Sequence, residues 1–357
     1  ATQEACARLS LVTGKGLAAL IRTRFSRLIL LLAVLLVSVA NTVNIAADLA
    51  SMAAALRLIV PVPQVVGVIG FALLLAVTEI YVPYHRYSRV LRWLCLSLLA
   101  YVAVMFVAQV DWAAVSLAVL IPQVDFTRTS FEILIALAGT TISPYLFFWQ
   151  AAEEVEERRT TVNYRVSKVH IQAMRGDVFA GMATGVFAMA AIMITAAATL
   201  HKNGVTNIQT AEEAAQALVP IAGDYAGVLF LLGILGTGLL SVPVLAGASS
   251  YAMAETFGWR ESLEKRPSQA RAFYAVIFLS ILVGLTLNLV GLNPMQFLLI
   301  AAITNGLAAP ILMAVIWWIA SDEKLLGKWK SPLWSRILLG IATFAMALLP
   351  LLWVLAP

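Results

Sequence analysis

The residues of this chain that can do chemistry are few, and most of them interrupt apolar runs. From residue 131 the sequence reads Phe-Glu-Ile-Leu-Ile-Ala-Leu-Ala, then Gly139-Thr140-Thr141-Ile142-Ser143-Pro144, then Tyr145-Leu-Phe-Phe-Trp-Gln150. Pro144 has no amide hydrogen, and its ring collides with the carbonyl four residues back, at Thr140. Gly139 adds backbone freedom beside it. The expectation is two half-helices meeting at an unwound Thr-Thr-Ile-Ser segment. Carbonyls released at the end of the first half lie at the negative pole of its dipole, where a cation is favoured. A plain proline kink is the other reading of the same residues.

A second polar set precedes it. Asn41, Asn44 and Asp48 share one helical face, because their spacing is three and then four residues. An ionisable Asp with two carboxamides inside a membrane span suggests a hydrated path or proton relay. Interhelical hydrogen-bonding accounts equally well for the two asparagines. Further on, Thr304-Asn305-Gly306 precedes Pro310 and is expected to open another polar notch, with function and packing evenly matched. Glu153, Glu154, Glu156 and Glu157 read as a solvated helix end. His85, His170 and His201 fall in loops or at span ends. The sequence has no Gly-Lys-Ser/Thr phosphate loop, no His-Glu-x-x-His and no dinucleotide fingerprint. An enzyme is therefore not expected.

The elements that position these residues follow from composition. Of the 357 residues 61% are hydrophobic and 12% are charged, with a mean hydropathy of +0.91. Soluble domains average about 45–50% apolar and about 25% charged residues, so the bilayer must solvate this chain. In lipid the backbone must satisfy itself, by helices or a closed barrel. Stretches such as Leu28–Val37 are apolar on every side, unlike the alternating strands of a barrel. An all-α polytopic membrane protein is the result. Nine spans of adequate length lie near Leu28–Leu58, Val65–Val82, Val90–Val107, Phe131–Val155, Val178–Leu200, Ala226–Tyr251, Ala272–Val290, Met295–Ile319 and Ile337–Leu355.

Lys and Arg are distributed one-sidedly over the connections. Alternate loops hold twenty-one of them, and the others hold only Arg57, Arg128 and Lys202. The positive-inside rule then places the N-terminal side in the cytosol and the C-terminus outside a plasma or inner membrane. This asymmetry also accounts for the net charge of +5, so no nucleic-acid partner is implied. Trp93, Trp112, Trp259, Trp329, Trp334 and Trp353 stand near span ends as interfacial anchors. Cys6 and Cys95 have neither metal-ligand spacing nor a disulfide framework and read as free thiols. Ala1–Leu9 reads as the last turns of a helix, and the expectation is an N-terminally truncated chain.

Three segments carry a resemblance to a known family. Leu11-Val-Thr-Gly-Lys-Gly-Leu-Ala-Ala-Leu-Ile is similar to the segment after the second helix of the natural-resistance-associated macrophage protein (Nramp) family of proton-coupled divalent-metal transporters. Asn44-Ile-Ala-Ala-Asp48-Leu-Ala is similar to its third helix, and Gly139-Thr-Thr-Ile-Ser-Pro144 to the unwound part of its sixth. The similarity covers the whole chain. It implies a LeuT-like fold of two inverted repeats around a midplane site, lacking its first helix. Residues 1–110 would form a truncated first repeat (helices two to five), 125–320 the second (helices six to ten), and 333–357 an extra eleventh helix.

Departures from the family pattern fall on the site. The first-helix Asp-Pro-Gly-Asn motif, which supplies two metal ligands, has no counterpart. Thr140 stands where the family has an alanine whose carbonyl is a ligand, and Ser143 stands where it has a methionine. Tyr145 and Gln150 replace two histidines, and Ser51 an acidic residue. The resemblance therefore implies metal ligation by Thr140, Thr141, Ser143 and Asn305, with Asp48, Asn44 and Gln150 on a proton pathway. Oxygen donors in place of a thioether fit a harder ion of the Mn/Fe/Mg class. Divalent metal and protons would be the substrates, with the lipid bilayer around them and no cofactor. A LeuT-fold symporter for an organic solute such as an amino acid is the alternative.

Overall fold

A computed structural model of the chain describes residues 1–82, 89, 93, 96, 99–107, 110–122, 125–160, 165–263, 265–291 and 293–356. His85, Arg86, Arg92 and Cys95 lie outside the described residues, as do residues 90–92, 94–95 and 97–98 of the third expected span.

Among the described residues the regular structure is helical throughout. The chain opens with α1 (Thr2–Thr13) and α2 (Leu17–Arg24), followed by α3 (Arg27–Arg57) and α4 (Gln64–Tyr81). Next come α5 (Leu99–Val107), α6 (Trp112–Leu120), α7 (Arg128–Thr141), α8 (Tyr145–Thr160) and α9 (Lys168–Thr199). The bundle closes with α10 (Ala226–Phe257), α11 (Arg271–Leu287), α12 (Pro294–Ala320) and α13 (Leu333–Leu355). Polar caps set several starts: Ser26 accepts from the Ile29 amide, Thr127 from Ser130, and Ser167 from His170. Asn293 and Gln296 form a reciprocal capping box with Pro294 behind the cap.

Six helical spans among the described residues are long and apolar enough to cross a membrane, one of them being α7 and α8 taken together. Of the other expected spans, α4 has 18 residues and α11 has 17. The helix α6 was not expected. It has nine residues, too few to read as a span, and starts where Asp111 accepts from the Ala113 and Ala114 amides. Large apolar side chains such as Leu28, Phe106, Phe179 and Phe344 face outward, as suits a lipid-facing wall. The protein is a multi-pass membrane protein.

At the centre lies α3, which packs on α4, α10, α11 and α12. Small residues make this possible. A Cβ on Gly238 of α10 would fall 2.6 Å from the Met52 sulfur, and one on Gly284 of α11 would fall 2.7 Å from Ile45 Cγ2. Polar bonds pin α3 as well. Asn41 Nδ2 donates to the Leu245 carbonyl (3.0 Å) and to Ser249 Oγ (2.9 Å), and Asn288 Nδ2 donates to the Ala46 carbonyl (3.1 Å). Of the two readings of Asn41, the structure supports interhelical bonding.

The basic segments meet at one end of the bundle. Arg158 donates to the Leu11 and Val12 carbonyls at the end of α1 (3.1 and 3.0 Å), Arg159 pairs with Glu261 (3.1 Å), and Arg24 pairs with Asp322 (3.0 Å). Glu4 is the hub of the same end. Its Oε1 accepts from Arg8 Nε (3.0 Å) and Arg175 Nε (3.1 Å), and its Oε2 accepts from Ser335 Oγ (2.9 Å). Arg8, one of the basic residues ahead of the first full span, is only 3% exposed, and these carboxylate bonds compensate its burial.

Candidate functional site

The helix break is real and narrower than expected. Thr140 and Thr141 remain helical, and α7 ends when Ile142 leaves helical geometry at φ −113°, ψ 74°. Only Ile142, Ser143 and Pro144 are unwound before α8 begins. Pro144 still has the effect its chemistry demands, since the Thr140 carbonyl has no amide partner four residues on. Ser143 Oγ fills that role, donating to the carbonyls of Thr140 (3.0 Å) and Gly139 (3.3 Å).

Gly139 serves close approach rather than freedom at the break. A Cβ there would fall 2.2 Å from the Ala302 carbonyl oxygen, and one on Gly306 would fall 2.3 Å from the Ile135 carbonyl oxygen. The backbones of α7 and α12 therefore touch, which sets Asn305 against the break. The polar notch expected at Thr304-Asn305-Gly306 forms without a break in the helix: α12 runs from Pro294 to Ala320 with Pro310 inside it, and Asn305 lines a cavity beside the break in α7 and α8.

Where α3, α7, α8, α10 and α12 converge there is a cavity of about 390 Å³, lined by Asn44, Asp48, Thr140, Ser143, Tyr145 and Asn305, together with Ser241, Leu245, Leu298 and Ala302. Its polar groups are incompletely satisfied. Asn305 Oδ1 and Asn44 Nδ2 are buried without a hydrogen-bond partner, an arrangement that costs free energy unless a ligand or water completes it. Asp48 accepts from Ser241 Oγ. The sequence reading missed Ser241. Its signal was the run of small and polar residues Gly236-Thr-Gly-Leu-Leu-Ser241-Val-Pro243, which lies on α10 opposite α3.

Two candidates lie elsewhere. Thr141 is not among the residues lining the cavity, and its hydroxyl donates to the Leu137 carbonyl (2.7 Å) and reaches Met189 of α9. Gln150 lies almost two turns beyond the break. It accepts from Gln3 Nε2 (3.3 Å) and donates to Glu154 Oε1 (3.2 Å). Glu154 is not solvated as expected, since it is 7% exposed on the buried face of α8, while Glu153 and Glu157 face outward. Glu156 accepts from Tyr251 and Ser262, both at 3.1 Å. Outside the spans, burial of Glu261 raises its carboxyl above the usual range, while the Arg159 bond opposes that shift.

Among the described residues no group of three or more His, Cys, Asp or Glu side chains could hold a metal ion. The cavity instead gathers amide, hydroxyl and carbonyl oxygens around one carboxylate, a donor set suited to hard cations.

The chain is similar to known proteins in sequence and in fold. The profile described as "Nramp: Natural resistance-associated macrophage protein-like" matches residues 1–356. A divalent metal cation transporter MntH of Verminephrobacter eiseniae is 25% identical over 354 residues, covering 96% of this chain and 76% of that protein. The MntH of Caldanaerobacter subterraneus is 24% identical over 251 residues, 70% of this chain, and the chain spans 56% of that protein's length. The crystal structure of an Eremococcus coleocola manganese transporter, in complex with an aromatic bis-isothiourea substituted compound, superposes with a TM-score of 0.79. The sequences are 17% identical, and the match covers 98% of this chain and 76% of that one.

Proposed function

Because the chain belongs to the natural resistance-associated macrophage protein-like family, we propose that it is a secondary transporter of divalent metal ions. The observation that carries this reading is the cavity at the helix break, with the bare Asn305 Oδ1 in its wall. Asn305, the Thr140 carbonyl and Ser143 would hold the ion, and the site would keep some of the ion's waters. Such a site favours Mn²⁺ and Mg²⁺ over thiophilic ions. Thr141, whose hydroxyl is engaged by its own helix, contributes to the shape of the break rather than to ligation.

Transport is proton-coupled in this reading. Asp48 receives the proton at the cavity, with Asn44 as a hydrogen-bonding neighbour. Water carries it along α8, past Gln150, toward the Glu154 carboxylate to which Gln150 donates, at the end of the bundle that carries the basic loops. That end faces the cytosol of a plasma membrane, and the C-terminus faces outside. Residues 1–110 and 125–320 form the two repeats.

Reconstitution tests the reading. Liposomes containing the protein, loaded with a pH-sensitive dye, should take up Mn²⁺ above empty liposomes and acidify inside as they do so. An amino-acid mixture should produce neither signal. Uptake of amino acids without uptake of Mn²⁺ would establish the organic-solute alternative.

A further inference from the structure

At the basic end of the bundle the surface between α12 and α13 opens into a groove of about 700 Å³. Its lining includes Trp317, Ser321, Arg336, Ile337, Ile341 and Phe344. Along α13, Ile337, Ile341 and Phe344 follow each other at four and then three residues, which makes one continuous apolar strip. They are 51%, 60% and 70% exposed. The strip runs away from Arg336 into the depth of the spans, and Trp317, Trp318 and Trp334 stand exposed near its mouth.

Arg336 is the unusual member. Its Nε is buried and has no hydrogen-bond partner, and none of the ion pairs among the described residues includes it. Asp322, which lines an adjoining hollow with Trp317, Trp318 and Ser321, is already engaged. It pairs with Arg24 at 3.0 Å, and its Oδ1 accepts from the Lys324 (2.8 Å) and Leu325 (3.3 Å) amides. Glu323 is held by Lys330 at 3.3 Å. An arginine in the wall of a membrane-facing groove, in none of the ion pairs among the described residues, is complementary to an anion that comes with the membrane.

We propose that this groove binds one anionic phospholipid, with its phosphate on Arg336 and an acyl chain along Ile337, Ile341 and Phe344. A guanidinium fork matches phosphate oxygens in geometry as well as charge. Lys324 and Lys328 on the same connection favour a headgroup with no compensating ammonium. A zwitterionic lipid can fill the groove but gains less at its mouth.

Native mass spectrometry of the purified, delipidated protein tests this with dioleoyl phosphatidylglycerol and dioleoyl phosphatidylcholine. The first phosphatidylglycerol adduct should form at about fivefold lower lipid concentration than the first phosphatidylcholine adduct, the preference expected of one basic residue near a membrane surface. Arg336→Gln should bring the two lipids level. Gly340→Leu starts from a Cβ only 3.4 Å from the Trp317 ring; it should fill the groove and weaken both adducts, and it serves as the second variant if Arg336→Gln does not fold. Inorganic phosphate in large excess should displace neither. Equal affinity of the two lipids, or a preference that survives Arg336→Gln, would overturn the proposal. Displacement by inorganic phosphate would make this a free-anion site, and a dimer that excludes lipid would make the groove an interface between two copies. Either result would also overturn it.

Discussion

Ser241 on α10 donates its hydroxyl hydrogen to the carboxylate of Asp48 on α3, across the wall of the cavity at the helix break. The bond ties the cavity's carboxylate to a helix other than the broken one. Asp48 is thus positioned to exchange a proton with the cavity while the oxygens of α7 and α12 face the ion. Replacing Asp48 with Asn should leave Mn²⁺ binding within about threefold and cut metal-driven proton flux at least about tenfold, the scale of losing one positioned proton acceptor. Dye-loaded liposomes read the flux, and titration calorimetry reads the binding. A collapse of affinity would make Asp48 a metal ligand instead.

Selectivity should turn on Ser143. Its oxygen lines the cavity while its hydrogen is given to the Thr140 and Gly139 carbonyls. A methionine at 143 would remove that bond and present a soft sulfur. Competition uptake should show Mn²⁺ and Mg²⁺ preferred over Cd²⁺ in the wild type. The Ser143→Met variant should raise the uptake of Cd²⁺ relative to Mn²⁺ and Mg²⁺. An unchanged ion order would leave Ser143 as a prop for the broken backbone.

The crossing of α7 and α12 should not tolerate a methyl group. Gly306→Ala would place a Cβ 2.3 Å from the Ile135 carbonyl oxygen, and such overpacking costs about 1–3 kcal/mol. Gly181→Ala in α9 meets nothing within 4 Å. There the gain in helix propensity is about 0.5–1 kcal/mol. Thermal melts in detergent should therefore shift in opposite directions for the two variants. A shift in the same direction would contradict the close approach.

Glu4 should matter more than its bonding partners. Glu4→Ala leaves Arg8 buried without its carboxylate, a loss of about 3–5 kcal/mol for a broken buried pair. Ser335→Ala removes one hydrogen bond to Glu4 Oε2, worth about 1 kcal/mol. Denaturation of the purified protein in mild detergent should rank the variants in that order.

Much of this was legible in the sequence, for identifiable reasons. Lipid obliges the backbone to satisfy itself, so most apolar runs marked their helices to within a few residues, although α9 begins at Lys168, ten residues before the expected Val178, because its first turns are polar. Pro144 lacks an amide wherever it is placed, so the break could be read locally. What escaped depended on contacts between distant segments. Ser241 gains meaning only when α10 crosses α3, and Gly139 only when α12 lies against it. Gln150 and Glu154 were separated into different roles by residue type, although their four-residue spacing puts them in contact on α8. The helix α6 was too short for hydropathy to mark.

The most direct test of the central claim is anomalous X-ray scattering from crystals of the protein soaked in Mn²⁺. The account predicts one strong anomalous peak inside the cavity, within ligand distance of Asn305 Oδ1 and the Thr140 carbonyl, and its loss in Asn305→Leu. A cavity without a peak in Mn²⁺-soaked wild-type crystals, or a peak that persists unchanged in Asn305→Leu, would contradict it.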